Sequence, residues 1–155
     1  MQKAIQDYWQ QFVTQQQLST QQPVQIYAFG DNPAMADELA QLVISGQKTA
    51  TTSAIALYTK DEPVPQVGDY NIILDGQDQP VAITQTSRCD IVDYQDVTEE
   101  HAYLEGEGNR TLAYWRSVHE PFFKAEYEAS HQLFSPTMPC LCEQFILLKA
   151  KKNKL

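Results

Sequence analysis

The sequence predicts an α+β fold in which a few strands curl into a small barrel flanked by helices. Apolar residues recur at helical spacing in several segments, short β-branched runs lie between turn residues, and no repeat or low-complexity linker interrupts them. The 155 residues, of which 43 % are hydrophobic, suit one domain over residues 1–155. We expect an N-terminal helix at about 4–18, a core at about 24–149 and a basic tail at 150–155.

The strands are predicted from runs of β-branched and aromatic residues. They cover residues 24–29, 49–57, 70–74, 80–86 with a continuation at 89–94, and 138–149. Asp75-Gly76 lies between the third and fourth runs and is a hairpin signal. The hairpin and the spacing of these runs favour a sheet that curls on itself.

The helices are predicted from periodicity and from their capping residues. The first carries one apolar stripe, formed by Ile5, Tyr8, Trp9, Phe12 and Val13, and residues 19–23 end it. Pro33 begins the second, which Gly46 ends. Thr98 begins the third, a fourth covers residues 111–119, and Pro121 begins another piece. The second helix therefore leads directly into the strand after Gly46.

The composition limits the partners. The net charge is −9, and four lysines near the C-terminus carry much of the positive charge; without them, 7 basic and 20 acidic side chains give −13. Such a body repels a long polyanion but admits a small or neutral ligand. No apolar run is long enough to cross a bilayer, and the N-terminus lacks an apolar export segment, so we expect a cytoplasmic protein without a membrane partner. The three cysteines then fit free thiols, and their spacing does not fit a metal site.

The turn between the second helix and the next strand holds the first candidate site. Lys48 stands among four hydroxyl residues, namely Thr49, Thr51, Thr52 and Ser53. A lysine beside hydroxyl groups can hold an anion or activate a nucleophile. The alternative is structural: a glycine cap, a solvated lysine and a β-branched strand.

Two later segments also contain polar residues that fit a site. Glu105 and Glu107 alternate with glycines, so a carboxylate there can pair with Lys48 and carry a proton, or simply belong to an exposed acidic loop. Trp115, Arg116 and His119 follow within about one helical turn. They can stack on a base, hold a phosphate or act as a base, and each also has an ordinary structural role in a helix.

Together these residues resemble the ASCH domain family. Its Gly-x-Lys-x-x-Thr signature matches residues 46–51, and the other motifs follow in one collinear order from about Phe29 to Leu148. They are Phe29-Gly30-Asp31, Val67-Gly68-Asp69, Val97-Thr98-x-x-His101-Ala102, Glu105-Gly106-Glu107-Gly108, Trp115-Arg116-x-x-His119 and Phe122-Phe123, the last three typical of a longer bacterial subgroup.

The resemblance implies a PUA-like β-barrel with a cleft beside the second helix, and a protein related to RNA. Some members are similar to amidohydrolases that deacetylate N4-acetylcytidine, and others are ribonucleases. Carried over by motif, Lys48 is the base or proton carrier, Thr51 the nucleophile and Glu105 the proton shuttle, with Glu107 as the rival carboxylate. The resemblance implies no metal or other cofactor.

One position departs from the family pattern, since Ser53 stands where an arginine is often found. An arginine offers a rigid fork of donors to phosphate, whereas Ser53 offers one hydroxyl. We therefore expect a small nucleoside-like ligand in preference to long RNA, bound by Gly46, Ser53, Glu107, Trp115, Arg116 and His119. The leading hypothesis is a metal-independent hydrolase of a modified nucleoside or an RNA-derived small molecule. The alternatives are a non-catalytic RNA- or nucleotide-binding module, a ribonuclease and a small-molecule sensor. The oligomeric state stays open.

Overall fold

The computed structural model describes residues 2–19 and 25–151. Within these ranges the helices are α1 (Lys3–Gln16), α2 (Pro33–Ile44), α3 (Glu99–Glu105) and α4 (Leu112–Ala129). The strands are β1 (Gln25–Ala28), β2 (Ala50–Ala54), β3 (Tyr70–Leu74), β4 (Pro80–Asp93) and β5 (Pro139–Ala150). The predicted chain break at 19–23 falls mostly outside the described residues, as does the tail from 152 onward. No helix of the described part is long and apolar enough to cross a membrane.

The five strands form one sheet in the order β1-β3-β4-β5-β2. Strand β1 runs parallel to β3, and every other neighbouring pair is antiparallel. The long strands β4 and β5 pair along most of their length, with register shifts at 83/84 and 86/88 that bend a sheet. The sheet curls into a half-barrel, which confirms the predicted α+β class and its PUA-like form.

The helices cover the sheet through three apolar clusters. The stripe of α1 buries Ile5, Trp9 and Phe12 against Ile72, Leu74 and Ile83. Helix α2 packs on a second cluster that contains Ile73, Ala82 and Phe145. Helices α3 and α4 pack on a third, which contains Ala54, Cys140 and Cys142. Alternate residues of β3 therefore serve different helices, as expected for a strand whose successive side chains point to opposite faces.

Capping residues position the helices that border the candidate site. Asn32 accepts a hydrogen bond from Met35 N at the start of α2, and Thr98 accepts one from His101 N at the start of α3. Gly46 has a φ of +85°, a left-handed conformation that a glycine adopts without strain, and it turns the chain away from α2. These caps confirm the predicted starts of α2 and α3 and the end of α2.

Two predicted element boundaries were wrong. Helix α4 is continuous through Pro121, because Trp115, His119, Phe123 and Tyr127 recur at intervals of four and bury one continuous stripe. Packing of this stripe outweighs the local preference of proline for a helix start. Strand β2 ends at Ala54, where a 3-10 turn begins. The predicted continuation at 89–94 is confirmed, since β4 runs without a break to Asp93.

Candidate active site

Lys48 lies in the turn that links α2 to β2, and it is buried, with 1 % of its surface exposed. Its backbone N–H donates to the Leu42 carbonyl over 2.9 Å, so the turn is held against the end of α2. The next residue, Thr49, donates its N–H to the Leu104 carbonyl of α3 over 2.8 Å. The lysine is therefore fixed between two helices. A buried position excludes the solvated-lysine interpretation.

The Lys48 ammonium is surrounded by acceptors. Nζ lies 2.9 Å from the Ala50 carbonyl oxygen, 3.2 Å from Glu105 Oε1 and 2.9 Å from Glu107 Oε2. The Phe29 ring centroid lies 5.1 Å away, within the range of a cation–π contact. An ammonium has three protons, and three strong acceptors receive them. We call Lys48, Glu105 and Glu107 the lysine–carboxylate group.

Glu105 is the last residue of α3 and is 1 % exposed. Its Oε2 accepts hydrogen bonds from the Thr52 hydroxyl, at 2.6 Å, and from the indole N–H of Trp115. Burial by itself raises the pKa of Glu105, but Lys48 and the hydrogen bond with His101 hold that pKa well below its usual value. Glu105 is therefore an ionised carboxylate that is held by several donors.

His101 and Thr52 belong to this cluster, although from the sequence we assigned a specific role in the site to neither. His101 Nε2 lies 2.7 Å from Thr52 Oγ1, and Nε2 is the donor because Thr52 gives its own proton to Glu105. Burial lowers the pKa of His101, but hydrogen bonds with Cys142 and Glu105 outweigh it and raise the pKa to about 9. The i,i+4 spacing of His101 and Glu105 on one helix was a usable signal for this contact.

The glycines beside the two glutamates permit a close backbone approach. Gly106 has a φ of +73°, and a Cβ atom there would lie 2.3 Å from the Gln47 carbonyl oxygen. The Gln47 side chain donates to the Gly106 carbonyl over 2.7 Å. The acidic segment is thus fastened to the lysine turn, and Glu107 lies at its rim with 13 % of its side chain exposed.

The aromatic residues of α4 support the carboxylate from the other side. Trp115 stacks on His119 with ring centroids 4.2 Å apart. His119 Nδ1 donates to the Trp115 carbonyl oxygen over 2.9 Å, and its Nε2 lies 3.7 Å from Glu105 Oε1. Arg116 instead donates to the Gln95 carbonyl and lies in an outer depression beside Pro136. Trp115 and His119 are therefore near the lysine–carboxylate group, and Arg116 is not.

The two threonines of β2 point to opposite faces of the strand. Thr52 faces α3, whereas Thr51 is the register partner of Glu143 on β5 and shares its face. Within the described residues the Thr51 hydroxyl has no hydrogen-bond partner. Ser53 accepts a hydrogen bond from the Tyr58 hydroxyl at 3.0 Å, and Gly46 shapes the turn but lines neither of the two cavities that contain Thr51.

Two cavities meet at Thr51. A small one of about 100 Å³ is lined by Lys48, Glu105, Glu107 and His119 together with both threonines. A larger one of about 350 Å³ lies between the edge strands β1 and β2, where the half-barrel is open. The two share Phe29, Gly30, Thr51, Thr52 and Phe122 as walls, so they form one cleft with the lysine–carboxylate group at its narrow end. In the described residues no group of three His, Cys, Asp or Glu side chains fits a metal ion.

The sequence matches the family model of the ASCH domain over residues 25–149, and the chain belongs to this family. A crystal structure of a protein from Enterococcus faecalis, described as DUF984, is 36 % identical, with a TM-score of 0.88, and the match covers 100 % of this chain and 99 % of that one. The ASCH domain from Lactobacillus crispatus is 26 % identical, with a TM-score of 0.87 and 95 % of each chain covered. No curated protein matches the chain.

Proposed function

We propose that this ASCH protein is a metal-independent hydrolase that cleaves an amide or a related bond in a modified nucleoside or a similar small molecule, as N4-acetylcytidine amidohydrolases do. The observation that carries this proposal is a buried lysine between two carboxylates at the narrow end of a cleft, beside the Thr51 hydroxyl, for which the described residues provide no hydrogen-bond partner. A nucleophile, a proton carrier and an acid are the parts that acyl transfer needs.

The proton balance assigns the three roles. Lys48 passes one proton to Glu107 Oε2, which lies 2.9 Å away, and the neutral amine then takes the Thr51 hydroxyl proton as Oγ1 attacks the carbonyl carbon. The C–N bond breaks, the leaving nitrogen takes the proton from Glu107, and an acyl-threonine ester remains. Water hydrolyses that ester, which releases the acid and restores Thr51.

In this scheme Glu107, and not Glu105, is the proton shuttle. Glu105 is fully buried, ionised and already bonded by Thr52 and Trp115, so it acts by holding Lys48 in position. Glu107 lies at the rim, where it can reach both the lysine and a leaving group. Substitution of Glu107 by Gln should therefore remove turnover while the protein stays folded.

The charge of the cleft favours a small neutral substrate. Glu62, Glu126 and Glu143 line the larger cavity, and the whole chain carries a net charge of −9. ASCH domains are thought to bind RNA, but a long polyanion is repelled by this distribution. A single nucleoside contains the same base as RNA but has no phosphate groups, so the negative charge of the cleft does not repel it.

The test measures acetate release from N4-acetylcytidine by the purified protein. We expect turnover in the wild type and its loss in Lys48→Ala, Thr51→Ala and Glu107→Gln. Lys60→Ala and Thr137→Ala are matched controls, because both side chains are exposed and neither residue lines the cleft. Turnover that survives all three cleft substitutions would contradict the proposed site.

A second candidate is a domain that binds a nucleoside or RNA without consuming it. It is favoured by one observation: all three protons of the Lys48 ammonium have acceptors, so no free base stands beside Thr51. A nucleoside that raises the melting temperature and is recovered unchanged would support this candidate. An oligonucleotide titration at two salt concentrations separates RNA binding, which has a steep salt dependence, from binding of a small ligand.

A further inference from the structure

The wide end of the cleft contains a buried acid that the proposed chemistry does not use. Glu143 on β5 is 5 % exposed and lines the cavity of about 350 Å³. Because it is the register partner of Thr51, its side chain leaves the same face of the sheet, with Cβ atoms about 5 Å apart in such pairs. A ligand whose reacting group lies at Thr51 therefore extends over Glu143.

No cation among the described residues forms an ion pair with Glu143. Burial and the nearby Asp69 raise its pKa to about 7, and hydrogen bonding with Thr86 only partly offsets this. In this it differs from Glu105, whose charge is compensated by Lys48. Near neutral pH, Glu143 can present either a proton or a lone pair to a bound molecule.

Asn71 on β3 stands in the same cavity and is 2 % exposed. Its amide nitrogen donates to the hydroxyls of Thr84, at 3.3 Å, and Thr86, at 3.1 Å. This uses both amide protons and fixes the orientation of the side chain. In the described part of the chain no donor reaches Asn71 Oδ1, and this oxygen is not sealed from solvent, so it is an acceptor that is open to the cleft.

Aromatic side chains border these polar groups. Tyr27 and Phe29 come from the β1 side of the cleft, and Tyr58 and Phe122 from the other. Flat faces on both sides with a few polar groups between them suit a planar ring. A volume of about 350 Å³ is near the lower limit of small-molecule pockets and too small for an oligonucleotide.

We propose that Glu143 and Asn71 recognise the edge of a heterocyclic ring that carries a hydrogen-bond donor next to an acceptor, as the pyrimidine nucleobases do. We call these two residues the Glu143–Asn71 pair. Asn71 Oδ1 accepts from the ring N–H or the exocyclic amine, and the Glu143 carboxyl group pairs with the adjacent position. The inference deepens the proposed function, on which it rests for the class of ligand, but it concerns binding and not the chemical step.

The open acceptor is the reason to prefer recognition over a purely structural role. A purely structural role predicts protein partners for the Asn71 carbonyl oxygen and for the Glu143 carboxyl group, because polar groups of the interior are normally hydrogen-bonded. Here Asn71 and Glu143 both line a cleft that a ligand can fill. A ring lacking the matching donor leaves both groups unpaired, which is a strong basis for discrimination.

The experiment measures the affinity of cytidine and of uridine by calorimetry, because neither is consumed by the proposed hydrolysis. We expect the wild type to bind at least one of them, Glu143→Leu to weaken that affinity tenfold or more, and Glu143→Gln, which keeps a donor and an acceptor, to stay within about threefold. Asn71→Leu should weaken it by a similar factor. Glu128→Leu, an exposed position on α4, is the matched control and should leave the affinity unchanged.

The outcomes separate this inference from the proposed function. Thr51→Ala should lose turnover of N4-acetylcytidine and still bind cytidine or uridine as the wild type does. If Glu143→Leu and Asn71→Leu bind as tightly as the wild type, or if the wild type binds neither nucleoside, the recognition role is overturned even where turnover is found. If binding depends on the Glu143–Asn71 pair but no turnover occurs, the inference stands and the hydrolase proposal fails. Should Glu143→Leu not fold, Glu143→Asp, which withdraws the carboxyl group, takes its place with the same expectation.

Discussion

The two ends of the cleft hold buried carboxylates in opposite electrostatic conditions. At the narrow end, Glu105 is paired with Lys48 at 3.2 Å and its pKa is held low. At the wide end, no cation from the described part of the chain pairs with Glu143, and its pKa rises to about 7. Strand β2 separates the two, with Thr52 on one face and Thr51 on the other. The difference shows that burial alone does not set the charge of an acid; the partner that the fold brings to it does.

Removal of Lys48 should have the largest effect on stability, because Lys48 is the cation that compensates the charges of Glu105 and Glu107 at the narrow end. Lys48→Met leaves Glu105 and Glu107 buried or half-buried without their cation, and we expect a loss of about 3–5 kcal/mol in the free energy of unfolding at pH 7. Urea denaturation measures this. The exposed Lys60→Met should change the stability by less than about 0.5 kcal/mol. A loss below about 1 kcal/mol for Lys48→Met would contradict the ion-pair description of this end.

At the wide end, removal of the Glu143 charge should increase stability, whereas removal of the Lys48 charge at the narrow end decreases it. Its pKa is higher in the folded protein than in the unfolded chain, so its stabilising contribution is full at low pH and is lost as the pH rises from about 4.5 through about 7. Glu143→Gln stays neutral, so it should be more stable than the wild type by up to about 3 kcal/mol at pH 8 and similar to it at pH 4.5. Thermal unfolding at the two pH values measures this.

The matched substitution at Glu105 sharpens this contrast. The lowered pKa of Glu105 contributes stability that is present above about pH 4.5 and is lost as the pH falls, so Glu105→Gln should be destabilising at pH 8. Glu128→Gln, at an exposed position, should behave alike at both pH values. If Glu143→Gln and Glu105→Gln change stability with the same sign at pH 8, the two ends do not differ as described.

The smallest expected change in stability is the difference between substitutions of the two threonines of β2. Thr52→Val removes a donor from Glu105 and an acceptor from His101, and should cost about 1–2 kcal/mol of stability. Thr51→Val removes a hydroxyl that has no partner in the described residues, so stability should stay within about 0.5 kcal/mol while turnover is lost. Chemical denaturation and the acetate assay on both variants check this. Equal stability losses would show that Thr51 has a structural bond.

Much of the fold follows from local chemistry, and the exceptions have a clear physical cause. The α1 stripe, the Asn32 and Thr98 caps and the Gly46 turn act within a few residues, so the sequence is sufficient to predict them. The continuity of α4 through Pro121 depends on the packing of its buried stripe against the sheet. The residues around position 121 do not indicate this packing, because the contacts are made with distant parts of the chain.

The candidate site also contains residues that the local sequence could place and residues that it misplaced. Alternate residues of β2 share one face, and Thr52, on the buried face with Ala50, lines the small cavity together with Lys48, so strand alternation was a usable signal for Thr52 that we did not use. Arg116 was grouped with Trp115 because they adjoin in sequence, yet successive helical residues point about 100° apart, and Arg116 faces outward. The direction of each side chain was therefore a better guide than proximity in sequence on both elements.

By itself, the sequence determined the class of fold, the family motifs and the residue types at the narrow end, because periodicity, caps and motif spacing are local properties. Only the tertiary structure decided which charges are compensated. Lys48 and Glu105 are 57 residues apart, and Asn71, Thr51 and Glu143 come from three strands whose register alone brings them to one face. The pKa of each acid depends on those long-range neighbours, and no local pattern contains them.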